Sequence, residues 1–298
     1  MPTENTIAAA FVAACADELA ALKPGNVHRH ADGHGMTVAD FEISAQAAAK
    51  GIAGHGQRVG RRILDATEAT WTATGKNTNL GIILLCAPLA AAAEKLAEAG
   101  AAFTALTLAA ATRQVLADLD VDDARLAFRA IALAKPGGLG SVAEADVHTP
   151  PSCTLGAAMA MAAWRDRIAG EYAGGFASIF AFGLPLLQEQ FAAASREHAT
   201  TGLFLALLAQ APDSHLLRKF GDSVAHSVTV EAQQFLSRFL ADGPARLHAE
   251  LLAWDSRLKA CAWNPGTSAD LTVATLFVHR LTRPGARQDR FVGQGAVE

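Results

Sequence analysis

Long runs of one charge are missing from this 298-residue chain, whose formal net charge is only −4. No stretch of lysine and arginine gives the electrostatic footprint of a nucleic-acid binder, so an anionic partner has to be small and held locally. Cysteine is scarce, and Cys15, Cys86, Cys153 and Cys261 stand singly with no CxxC pair. That pattern suits a reducing compartment, with the thiols packed as small apolar groups. The longest uncharged apolar run, Leu80 to Ala93, falls short of the roughly 20 residues a membrane crossing needs, and Pro88 interrupts it. The opening residues, MPTENT, lack the cationic segment of a secretory leader. Together these absences lead us to expect a soluble, cytoplasmic protein with neither nucleic-acid nor membrane partners.

Signatures of the common enzyme folds are absent too. PGGLG at 136–140 is not GxGxxG, and no strand precedes it to build a dinucleotide fold. GKN at 75–77 lacks the upstream glycine and the Ser/Thr of a P-loop, and neither GxSxG nor HExxH occurs. There is no repeat of fixed period and no low-complexity linker.

What the chain has is alanine and helical periodicity, within a composition that is 51% hydrophobic. Ile7, Phe11, Cys15, Leu19 and Leu22 form one stripe over 5–22, and Lys23-Pro24-Gly25 stops that helix. Thr37 and Asp40 have capping-box spacing and open a second helix. A third spans 58–73 and ends at Gly75. A fourth, Leu80–Ala97, is apolar on every side through its first three turns, so other helices should enclose it. Further helices are expected over 104–118, 122–134, 154–173, 177–198, 201–211, 214–241, 244–262 and 268–281, the last with Ser268 as N-cap. The fold expected is all-α: a single multi-helix bundle over 1–282 with a buried apolar central helix, then a disordered tail over 283–298.

Four loops join glycine or proline to polar residues at helix ends: LKPGNVHRHADGHGM (22–36), TGKNTNLG (74–81), KPGGLGSVAEADVHTPP (135–151) and NPGTSADL (264–271). Glycine lets backbone approach a ligand, free amides attract phosphate oxygens, and nearby carboxylates suit Mg²⁺. Each feature also has a plainer reading. Lys23 fits an ordinary helix C-terminal cation, Asp270 first-turn charge, and Asn77, Thr78 and Asn79 a cap for the fourth helix. His28, His30 and His34 fit no standard metal spacing. Asp222 and His226, four apart, read as a surface pair.

In order along the chain, KPGNVHR with HGM and Phe41-x-x-Ser44, TGKNT before a glycine-led apolar helix, PGGLG and NPGTSADL resemble the triphosphoribosyl-dephospho-CoA synthase family found with citrate lyase and malonate decarboxylase. The resemblance runs from about residue 16 to 280. It implies an all-α transferase that takes the triphosphoribosyl unit of ATP, expels adenine, and joins C1 to the ribose 2′-hydroxyl of dephospho-CoA. ATP is then a co-substrate, Mg²⁺ the expected cofactor, and the partners are small molecules, with a homo-oligomer left open.

The polar loops and the resemblance together place Lys23, Gly25, Asn26, Arg29, Gly75, Lys76, Asn77, Thr78, Asn79, Gly138, Gly140 and Ser268 at the substrate and its phosphates. The resemblance leaves Asp32, His28, Glu144 and Asp146 as candidates for the catalytic base, and Asp32, Asp146 and Asp270 for the metal. Better-known members carry Asp where this chain has His28, His-Lys where it has Asn79-Leu80, and Asp where it has Gly35. The family's Gly-Ala-Arg-Gly-Glu becomes Gly138-Leu139-Gly140-Ser141. Two other readings follow from these departures. One is ribosyl transfer from phosphoribosyl diphosphate to another acceptor, such as a pterin-type one-carbon cofactor precursor. The other is a non-catalytic helical nucleotide-binding or scaffold protein.

Overall fold

The computed structural model describes residues 4–136, 149–189, 192 and 194–283. Among these there is no strand, only isolated bridges at His28–Ala31 and Gly33–Met36 that fold the first loop on itself. The helices are α1 (Glu4–Ala20), α2 (Val38–Ile52), α3 (Val59–Thr74), α4 (Leu80–Glu98), α5 (Ala105–Ala117), α6 (Val121–Ala134), α7 (Leu155–Ala162) and α8 (Arg167–Gly174). A π-helical turn, Ser178–Gly183, leads into α9 (Leu184–Glu189). It is followed by α10 (Arg196–Gln210), α11 (Ser214–Phe220), α12 (Asp222–Asp242), α13 (Pro244–Ala260) and α14 (Gly266–Thr282).

The all-α expectation holds, and α4 is the enclosed helix. Every residue from Ile82 to Ala93 is buried, and α2, α3, α5 and α14 pack around it. By length and composition α4 could cross a membrane, yet 78% of its apolar window is buried inside the bundle. Pro88 lies inside this helix and has no N–H for the Leu84 carbonyl one turn earlier. The Tyr172 hydroxyl on α8 donates to that oxygen at 2.7 Å, so the proline leaves no buried acceptor unpaired. Burial pushes the Tyr172 phenol up, which keeps it a donor.

Thr37 caps α2 as its spacing predicts, with the Asp40 carboxylate returning the bond to the Thr37 amide. Three longer expectations are corrected. The helix expected over 154–173 breaks between α7 and α8, where the Asp166 carboxylate accepts from the Ala169 amide at 3.1 Å and starts a new helix. The one over 214–241 breaks at Gly221, whose φ of +83° is left-handed. The one over 177–198 becomes the π turn and α9, and α10 starts afresh behind a Ser195 cap. Apolar periodicity runs across all three breaks, so periodicity alone joined them. Cys15 and Cys86 are buried as expected, whereas Cys261 is exposed at the end of α13. The expected tail lies, beyond Arg283, outside the described residues.

Ser268 is not the N-cap of α14, which begins at Gly266. The cap comes from elsewhere in the chain: Asp213 accepts from the Ser268 amide at 2.7 Å and from its hydroxyl at 2.8 Å. The same carboxylate accepts from the His215 amide at 2.9 Å and so caps α11. Asp213 thereby fixes the start of α11 against the start of α14.

The enclosure of α4 carries a stability prediction. Leu85 is 0% exposed and Leu106 on α5 is 76% exposed. Urea denaturation should show Leu85→Ala costing about 2–5 kcal/mol and Leu106→Ala less than about 0.5 kcal/mol. Equal losses would contradict α4 as the core helix.

Candidate active site

Three of the four polar loops meet at one end of α4. Gly25 has φ +83°, and a Cβ there would lie 2.8 Å from both Pro265 Cδ and the Trp263 carbonyl oxygen, so the first loop packs backbone against the 264–271 loop. Asn26 Nδ2 donates to Asn264 Oδ1 across this junction at 2.8 Å. The 74–81 loop is anchored on α2: the Thr78 and Ser44 hydroxyls lie 2.5 Å apart, and Asn79 Nδ2 donates to the Ser44 carbonyl at 3.3 Å.

Between these loops opens a cavity of about 320 Å³. Glu18, Asn26, Asn77, Thr78, Asn264 and Asp270 give it polar lining. Leu84, Phe128, Ile131, Met159 and Ile168 give it apolar lining. Arg165, Asp166, His215 and Arg218 bring a further charged group from the α7–α8 turn and from α11.

Charge at the polar lining is unusual for a protein interior. Lys23 is fully buried and paired with Glu18, and its ammonium also donates to Asn26 Oδ1 at 3.0 Å. Burial pushes the Lys23 ammonium down and the Glu18 carboxyl up, while each partner's charge opposes the shift. Asp270 is open to the cavity on one side, and its Oδ2 lies so close over Gly81 that a Cβ there would come within 2.0 Å. Burial, then the nearby Asp213 and Glu18 charges, push the Asp270 carboxyl well above the usual carboxylate range. His215 is lowered to about 4, chiefly by burial, and so is neutral at physiological pH.

Of the residues singled out in the sequence, Asn26, Asn77, Thr78 and Asp270 line the cavity. Several others are turned to neighbours. Lys23 sits behind Glu18, where solvation cost forbids it an unpaired charge. The Gly25 amide donates to Asp255 at 2.8 Å, and His28 Nε2 lies 3.3 Å from the same carboxylate, buried beneath the loop. Arg29 pairs with Glu197 on the exposed surface. Asp32 accepts from the Val38 amide at 2.9 Å. Lys76 pairs with Asp40 at 2.8 Å and donates to the Gly35 carbonyl. Gly75 takes the left-handed position that ends α3. Asn79 and Ser268 are held by Ser44 and Asp213. Gly138, Gly140, Glu144 and Asp146 lie outside the described residues; Pro136, just before them, lines the cavity. Asp270 lines the cavity and Asp32 does not. Among the described residues, the acidic group with metal-like spacing is His55, Glu94 and Glu98, away from the cavity, where Arg62 already pairs with Glu94.

The sequence reading missed Glu18, Arg165, Asp166, His215, Arg218 and Asn264. A signal existed for Glu18: it falls on the stripe of Phe11, Cys15 and Leu22, where an acid is out of place on a buried face. No such signal marks Arg165, placed by the unanticipated break between α7 and α8, or Arg218, placed by α11 behind its Asp213 cap.

This is an all-α protein with a cavity at converging glycine loops, mainly apolar with a polar and charged rim of Glu18, Asp270, Arg165 and Arg218, a form suited to a nucleotide-like ligand. The chain matches the model of ATP:dephospho-CoA triphosphoribosyl transferases over residues 4–289 and belongs to that family. Two proteins of Vibrio cholerae serotype O1, from strains M66-2 and ATCC 39315 / El Tor Inaba N16961, are each 35% identical to it over 117 residues and carry the name 2-(5''-triphosphoribosyl)-3'-dephosphocoenzyme-A synthase. That match covers 38% of this chain and 36% of each relative, so the chain spans about a third of the length of the curated relatives it matches. The crystal structure of a triphosphoribosyl-dephospho-CoA synthase homologue from Archaeoglobus fulgidus superposes with a TM-score of 0.60 at 22% identity, covering 80% of this chain and 96% of that one, which shows a shared fold.

The Lys23–Glu18 pair carries the second prediction. Lys23→Met leaves a buried carboxylate alone and should cost about 3–5 kcal/mol by urea denaturation, whereas Lys23→Met combined with Glu18→Leu should recover most of that loss. A double variant no more stable than Lys23→Met would show that the pair is not buried as described.

Proposed function

We propose that the cavity binds ATP and dephospho-CoA and joins C1 of the triphosphoribosyl unit to the ribose 2′-hydroxyl of dephospho-CoA, with release of adenine. The observation that carries this reading is the convergence of the KPGN, GKNTNLG and NPGTSAD segments, the stretches matching the family, on one cavity that also holds Glu18 and Asp270. The C1–N9 bond of ATP breaks as the C1–O2′ bond forms, and adenine gains at N9 the equivalent of the proton that the acceptor hydroxyl loses. Glu18 takes the hydroxyl proton. Burial raises its basicity, as a general base requires, and the charge of its neighbour Lys23 opposes that shift. Positive charge developing at the ribose C1 is offset by Glu18 until the proton reaches it. Apolar lining from Phe128, Ile131 and Met159 supports a planar base and keeps water from the reacting carbon.

Asp270 on the cavity wall is a carboxylate of the kind Mg²⁺ takes, since that ion is commonly held by one or two carboxylates together with substrate phosphates. A carboxyl raised by burial and neighbouring acids is one that a cation would return to its ionised form. When bound, Mg²⁺ supplies charge neutralisation at the polyphosphate. Asp270 is the metal residue of this account, and Asp32, bonded to the Val38 amide, is left out of it. A cytoplasmic location accords with these substrates and with four unpaired cysteines.

The test is chromatography of free adenine after mixing protein, Mg²⁺, ATP and dephospho-CoA. Adenine should appear only when dephospho-CoA is present, and Glu18→Gln should lower kcat about 100-fold or more with KM for ATP little changed. No adenine from folded protein would reject the reading, and product formed from phosphoribosyl diphosphate and a different acceptor would replace it.

A further inference from the structure

The cationic residues expected at the phosphates are engaged elsewhere, Lys23 with Glu18, Lys76 with Asp40 and Arg29 with Glu197. Around the cavity a different set is available. Arg165 lines it, and its described contact is with the face of Trp164, its guanidinium carbon 5.8 Å from the ring centroid; no carboxylate pairs with it among the described residues. Arg218 lines it too, bonded to Asp166 at 2.5 Å through Nη1, while its Nε is buried without a partner. His215, one turn earlier on α11, also lines it and likewise has a buried ring nitrogen, Nε2, without a partner.

A buried polar atom left unsatisfied costs on the order of 1–3 kcal/mol, so two of them, on His215 and Arg218 at one cavity, call for a common explanation. The Asp213 cap holds the start of α11, and with it these two side chains, at the cavity. The α7–α8 turn and α11 are also fixed to each other, by the Arg218–Asp166 pair and by the Arg167 amide donating to the Ser214 hydroxyl at 3.2 Å. Two guanidinium groups and an imidazole are thus held around one space before any ligand arrives. Guanidinium forks match phosphate oxygens in geometry as well as charge.

We propose that Arg165, His215 and Arg218 form the polyphosphate subsite of the cavity, taking the triphosphate or diphosphate of the ribosyl donor. This deepens the proposed function and rests on its cavity, not on its acceptor. Asp166 and Asp270 are the acids facing the subsite. Asp166 orients Arg218, and Asp270 lies within electrostatic reach of Arg218. A polyphosphate there has its ribose end free to reach Glu18 and Asn77.

Calorimetric titration with inorganic triphosphate and Mg²⁺ tests the subsite without any turnover. The wild-type protein should bind, and Arg165→Ala, His215→Asn and Arg218→Lys should each weaken Kd at least tenfold while melting within a few degrees of it. Absence of wild-type binding at millimolar triphosphate, or unchanged Kd in the folded variants, overturns the proposal. Should Arg218→Lys fail to fold, Arg165→Ala, which breaks no ion pair, decides alone. Parallel titrations with ATP and phosphoribosyl diphosphate, which share this chemistry, identify the donor. Weakened triphosphate binding without adenine release in the dephospho-CoA assay keeps the subsite and rejects the acceptor. Adenine release with an unaltered KM for ATP in all three variants rejects the subsite and keeps the reaction.

Discussion

A buried ion pair organises this molecule. Lys23 and Glu18 are almost wholly removed from water at the junction of α1 and the first loop, and such removal is tolerated only where each charge has a partner and further hydrogen bonds. Asn26 supplies one of those bonds and is itself tied to Asn264. The requirement to satisfy one ammonium therefore draws the first loop onto the last one. Gly25, with its left-handed backbone against Pro265, lets the two come close enough. What emerges on the cavity side is the carboxyl of Glu18, pushed up by burial and held back by the charge of Lys23.

The same constraint accounts for α4. A helix apolar on every side needs neighbours all round, and the ends of those neighbours carry the polar groups that the helix itself lacks. At its N-terminal end, Gly81 admits the Asp270 carboxylate close to backbone, where any side chain would collide. At mid-helix, Pro88 removes an N–H and Tyr172 restores the lost partner. Packing below and chemistry above thus share the residues 77–84, and α14 enters the site at Asp270 because Asp213 caps it from α11.

Much of the fold was legible in the sequence, because strong 3.6-residue periodicity, the Thr37–Asp40 spacing and the apolar run at 80–93 all act locally. The helix breaks at Asp166 and Gly221 were not, since each depends on a single polar or glycine residue set within unbroken apolar periodicity. In the site, loop composition and the family resemblance pointed to Asn26, Asn77 and Thr78, and the resemblance alone to Asp270. Together they also pointed to Lys76 and Arg29, whose ion-pair partners Asp40 and Glu197 lie 36 and 168 positions away in the chain. Those partners are brought near by tertiary structure, and a motif cannot show whether a cation is free for a ligand. Conversely Arg165 and His215 belong to no motif and are placed at the cavity by turns and caps alone.

The central claim is that the cavity at the head of α4 orients a ribosyl polyphosphate with its C1 toward Glu18. The most direct measurement is a crystal structure of the protein with Mg²⁺ and ATP, without acceptor. The account predicts triphosphate density against Arg165 and Arg218, the adenine ring beside Phe128 and Met159, and the ribose C1 near Glu18. Triphosphate density against Lys76 and Arg29 instead, with the cavity filled by solvent, would contradict it.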